Sequence, residues 1–209
     1  NFNNGEYYKK QSLQRMSNSF FSDVLEPITT QPDNMRERNI GALLYYKPGA
    51  GMTILRETIL GEEKFDKALR SYIKNWAFKH PTPEDFFRTM ENVSGEELSW
   101  FWRGWFLNKW TIDQGITRAK YVNGSYTNGV IVTVENFGQL PIPTTVQVNF
   151  NDGTSKEVKL PIEVWKRNTE WSFKINSTKE ITTIKLDPNG AIPDTNTENN
   201  VFNMSKKND

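Results

Sequence analysis

One histidine, His80, and no cysteine leave this sequence without a thiolate ligand and without the paired imidazoles of a two-His metal site. Asp187, Asn189, Asp194, Asn196 and Glu198 are of the types calcium prefers. They miss the Asp-x-Asn-x-Asp-Gly ligand frame, so they read as turns in a polar stretch. Trp100, Trp102, Trp105 and Trp110 are of the type that stacks on sugars. Helical spacing puts Trp102 and Trp105 on one side with Phe101, which reads as core. His80 precedes a proline between helices, where a surface or capping role is the default. Tyr45, in Tyr45-Tyr46-Lys47-Pro48, has a phenol that can donate a hydrogen bond, but beside Leu43 and Leu44 its residue type alone reads as a packed aromatic; Tyr46 is the alternative if the register is off by one.

The elements that would position Tyr45 are helical. Residues from Glu6 to about Phe21 form an amphipathic pattern with Tyr7, Leu13 and Met16 as its stripe. A Pro-containing stretch of mixed polarity follows and reads as a loop. Pro48 suits the first turn of a helix, which runs to Leu60 with Met52, Leu55 and Ile59 inward, and Gly61 ends it. The next helix covers Glu62 to about Phe78, with Phe65, Leu69, Tyr72, Ile73 and Trp76 at helical spacing, and His80-Pro81 closes it. Thr82-Pro83-Glu84-Asp85 is a helix start; this helix carries Phe86, Phe87 and Met90 and stops near Gly95. A last helix runs from Glu96 or Glu97 to about Leu107, with Leu98, Phe101, Trp102 and Trp105 inward. Successive helices with short turns predict an antiparallel array.

From Thr111 the pattern changes to short Val-, Ile- and Thr-rich runs of period two, separated by Asn-Gly and Asn-Asp-Gly turn signals. Six or seven strands in this space predict a small β-sandwich, Ig-like in layout. The expected division is helical 1–110, sandwich 111–200 and a polar tail 201–209. The charge balance, 26 basic against 25 acidic residues, lacks the basic excess of a nucleic-acid binder. No apolar run has the length of a membrane span.

The stretch from Tyr45 to Phe106 resembles the aminopeptidase N-like, or gluzincin, zinc metallopeptidases, and more specifically a bacterial branch of them. Tyr45-Tyr46-Lys47-Pro48 matches the family's Tyr-x-Lys-(Gly/Pro) element. ILRETILGEEKFDKALRSYI fits its helix, Leu-Gly, Phe-bearing helix order, and TPEDFFRTMENVSGEELSWFWRGWF fits Thr-x-x-Asp-Phe, Gly-x-x-Leu and Phe-x-x-x-Trp in series. The β-half is similar to the sandwich that follows the catalytic helices in many members. The resemblance implies an α-then-β multidomain chain that carries the helical end of a gluzincin catalytic domain. It implies hydrolysis of peptide bonds, zinc held by His-Glu-x-x-His and a later Glu, and Tyr45 as the catalytic donor to the oxyanion of the tetrahedral intermediate.

The zinc motif and the Gly-rich substrate anchor are absent from this sequence, and in the family both precede the tyrosine. The expectation is therefore a piece of a zinc aminopeptidase whose partner is a missing N-terminal catalytic region. The isolated chain is expected to bind no zinc and to be inactive, while the parent acts on peptides and is exported to the periplasm or cell surface. The alternatives are a non-catalytic protein- or glycan-binding module and a metal-free peptidase relative.

Overall fold

Pro48 decides the shape of the first long helix. In the computed structural model, which describes residues 13–204, the chain is already helical before it reaches this proline. A π-helical turn at Ala42–Tyr46 leads into α1 (Lys47–Ile54), and a second π-helical turn follows at Leu55–Leu60. Inside a helix a proline lacks the N–H and its ring crowds the carbonyl four residues back. The wider turn relieves that conflict: the Lys47 N–H bonds the carbonyl of Ala42, five residues back. The expected helix start at Pro48 is thus corrected, and Tyr45 stands within the helix. The wider turns also shift its phase, so Ala50, Ile54, Leu55 and Leu60 are buried, whereas Met52 and Ile59 are only half-buried.

Gly61 (φ 79°) breaks the helix, and α2 (Glu62–Trp76) buries Phe65 and Ala68. Ile73, expected inward, is exposed. α2 stops at Trp76; Phe78 then takes a left-handed φ of 62° and is fully exposed. α3 (Pro83–Ser94) begins as expected: the Thr82 N–H and hydroxyl both donate to Asp85 Oδ2 at 2.9 Å. It ends at Gly95 in the left-handed conformation (φ 73°, ψ 15°), whose N–H bonds the Glu91 carbonyl.

α4 (Ser99–Phe101) runs into a third π-helical turn at Trp102–Leu107. Leu98, Phe101, Trp102, Trp105 and Phe106 are all buried there. Phe87 stacks on Trp102 at 4.5 Å between centroids. The Arg56 guanidinium grips Asp66 through Nε at 2.8 Å and a terminal nitrogen at 3.2 Å, tying the second π-helical turn to α2. Lys64 pairs with Glu96.

The described residues divide into two compact units, 18–110 and 111–204, the latter also taking in residues 13–17. The expected helix from Glu6 lies partly outside the described residues. What is described is a 3₁₀ turn at Gln14–Met16 and a short helix at Ser17–Phe20.

The second unit holds two antiparallel sheets. β1 (Gln114–Tyr121), β2 (Val130–Asn136) and β5 (Glu170–Ile175) form one in the order β1-β2-β5. β3 (Thr144–Phe150), β4 (Ser155–Leu160), β6 (Ile181–Leu186) and β7 (Val201–Asn203) form the other in the order β4-β3-β6-β7. The period-two runs fall on β1 to β6, because alternation puts one set of side chains on one face. Val130, Val132 and Val134 from the first sheet and Val146, Val148 and Ile184 from the second share one core. Tyr121 joins the sheets: its hydroxyl accepts from the Ile181 N–H (2.8 Å) and donates to the Ile181 carbonyl (3.3 Å). β7 lies beyond residue 200, where the sequence reads as tail; residues 205–209 are outside the described part.

Candidate functional site

Tyr45 projects from the π-helical turn and is 69% exposed. Its hydroxyl makes no hydrogen bond to the described residues. Tyr46, 50% exposed, lies closer to its own helix, with a ring carbon 3.9 Å from where a Cβ on Gly41 would sit. Of the two phenols Tyr45 is the freer to meet a ligand.

The residue that fixes this turn is Lys47. It is 1% exposed, although a lysine is almost never fully buried without a partner. Its ammonium lies 5.5 Å from the ring centroids of both Phe21 and Trp105, in cation–π contact with each. Among the described residues no carboxylate pairs with it. Burial, and secondarily the nearby Lys109 ammonium, push its pKa down to about 8. Its main chain is held as well: the Trp105 indole N–H donates to the Lys47 carbonyl at 3.0 Å, a buried bond across 58 residues of sequence. Trp105 is itself fixed by edge contacts from Phe20 and Phe21 at 5.8 Å and by stacking with Phe101.

The sequence pointed to Tyr45 but not to Lys47 or to the Trp105 bond. Its one available signal was Gly51, a helix-interior glycine. A Cβ there would sit 2.4 Å from Trp105 Nε1, so only glycine leaves room for the indole.

His80 is exposed and lies outside this turn. Asp187 accepts from the Ala191 and Ile192 N–H groups, Asp194 from those of Gln114 and Asn196, and Asn196 from that of Glu198. These side chains serve turns. Trp102 and Trp105 belong to a core and present no stacking surface. Among the described residues no three His, Cys, Asp or Glu side chains come together in a way that could hold a metal. No described helix is long and apolar enough to cross a membrane.

The family match falls on this helical part, while the structural likeness extends beyond it. Residues 2–105 match the Peptidase family M1 domain. Over 70 residues the chain is 37% identical to "Aminopeptidase M1-C" of Oryza sativa subsp. japonica, a match covering 34% of this chain and 7% of that protein. Over 91 residues it is 34% identical to "Aminopeptidase N" of Escherichia coli (strain K12), covering 43% of this chain and 10% of that protein. The fold is similar to the crystal structure of Legionella pneumophila aminopeptidase A in complex with aspartic acid. There the TM-score is 0.58 with 18% identity, and the match covers 73% of this chain and 17% of the other. These matches span a small part of each relative, and plant and bacterial proteins both occur among them, which singles out no bacterial branch.

Proposed function

Because this chain belongs, through residues 2–105, to peptidase family M1, we propose that it is part of a zinc-dependent aminopeptidase that hydrolyses peptides at the N-terminus. Tyr45 carries the role of hydrogen-bond donor in that proposal. The observation that supports it is an exposed phenol, with no hydrogen bond to the described residues, on a backbone turn that is itself firmly held. As a peptide carbonyl becomes tetrahedral its oxygen gains negative charge. A phenol placed at that oxygen stabilises the charge only once it has formed, which lowers the barrier rather than tightening substrate binding.

The residues of this chain do not fit a zinc site: there is one His, no Cys, and no suitable cluster among the described residues. Zinc then belongs to residues of the gene product outside this chain, and the isolated chain is inactive. The Ig-like layout of the β unit is part of the same reading. Its support is the strand arrangement: with β4, which pairs with β3, lettered C′ and no strand D, the sheets read A-B-E and C′-C-F-G. Export from the cytoplasm also belongs to it, and fractionation of producing cells tests that.

The direct experiment measures zinc content and aminoacyl-arylamide hydrolysis of the full gene product, with the 209-residue chain as control. One zinc and turnover in the gene product, with neither in the chain alone, is the expected result. A metal-free, inactive gene product would overturn the proposal and leave a binding module or a metal-free relative.

A further inference from the structure

Resting on the reading of Tyr45 as the oxyanion donor, we infer that Trp105 is the positioning residue for Tyr45, acting through the Lys47 carbonyl. Three features of the helix make such a support necessary. First, the residue before a proline disfavours the helical region, yet Lys47 sits there with φ −67° and ψ −43°. Second, the turn bearing Tyr45 is π-helical, a rare geometry found mostly as single turns inside α-helices. Third, the Tyr45 side chain is exposed and its hydroxyl has no bond to the described residues. The phenol is therefore placed by the backbone of its turn.

Trp105 meets that need at the right atom. Its N–H donates to the carbonyl of Lys47, the pre-proline residue that closes the turn. The indole face also flanks the Lys47 ammonium, so one ring holds both the main chain and the side chain of Lys47. Gly51, one helical turn on, is the seat of the indole: any Cβ would lie 2.4 Å from Nε1 and 2.7 Å from Cδ1. The aromatic cluster behind Trp105 leaves it no slack. A shift of the indole is passed to Lys47 and from there to Tyr45, two residues earlier.

The test is a double-mutant cycle in the full gene product, read as kcat and KM for an aminoacyl arylamide. Trp105→Phe removes the donor. Replacement of Trp105 by β-(3-benzothienyl)alanine removes the N–H while keeping ring size, which separates the bond from packing. Gly51→Ala displaces the indole from its seat. Each change is expected to lower kcat about tenfold or more, since displacements of about an ångström have effects of this order, with KM within about twofold. Combined with Tyr45→Phe, each is expected to add no further loss, because a positioning residue has nothing left to position.

Losses that multiply in the Tyr45→Phe background, or full turnover in the benzothienyl variant, would overturn the inference while leaving the role of Tyr45 intact. Full turnover in Tyr45→Phe itself would overturn both.

Discussion

Lys47 carries a charge that nothing among the described residues neutralises, and this has a measurable signature. Its folded-state pKa is about 8, against about 10.4 in an unfolded chain. The native state therefore releases the proton first. Its contribution to stability is lowest below about pH 8 and rises as the pH passes from 8 to above 10, by on the order of 3 kcal/mol. Lys47→Met keeps the stem and removes the charge. The difference between the wild-type and variant stability curves is expected to change across that window and to be flat below it. Asp194 behaves in the opposite sense. It is 3% exposed, and burial raises its pKa to about 6. Its contribution is fully present below about pH 4, the unfolded value, and is lost as the pH rises through about 6, again on the order of 3 kcal/mol. Asp194→Asn, followed by chemical denaturation from pH 4 to 7, is expected to abolish that slope. It also leaves one of the two backbone N–H groups, of Gln114 or Asn196, without its acceptor. Neither burial is legible in the sequence, because Lys and Asp are ordinarily exposed and only tertiary packing encloses them here.

Helix boundaries were legible where a local signal has one physical meaning. Thr82, Pro83 and Asp85 supply a cap, a fixed φ and an acceptor, and α3 begins there. Asp85→Ala is expected to lower the thermal midpoint by removing the acceptor for both Thr82 donors. Acid is expected to do the same, since the bonds from Thr82 hold the Asp85 pKa below the usual carboxylate range. That stabilisation is present above about pH 4 and is lost as the pH falls through the lowered value. Gly95→Ala forces a Cβ into the left-handed region and is expected to destabilise by about 1 kcal/mol, measured by urea denaturation. Pro48 was a weaker signal. A proline marks either the first turn of a helix or a conflict within one, and local sequence does not show that residues before it are also helical. The π-helical turn resolves the conflict, and it is what puts Tyr45 on the surface with Lys47 beneath.

For the molecule as a whole, period-two alternation disclosed six strands. It did not disclose which strands pair, since strand order depends on contacts across the chain. β7 was hidden because three residues are too few for a pattern; β6 supplies its partners. Val148→Ala, on the central β3 and fully buried, is expected to cost roughly 2–4 kcal/mol of stability. A thermal melt of that variant checks whether the two sheets share one core. The candidate site was half legible. The tyrosine and its flanking motif could be read, whereas the support from Trp105 could not, because it spans 58 residues.

The most direct test of the function proposed for this chain is turnover of the full gene product carrying Tyr45→Phe, corrected for bound zinc. An oxyanion donor is expected to cost about 10²–10³ in kcat when removed, with zinc content and KM nearly unchanged. Wild-type kcat in the variant would show that Tyr45 does not act on the transition state.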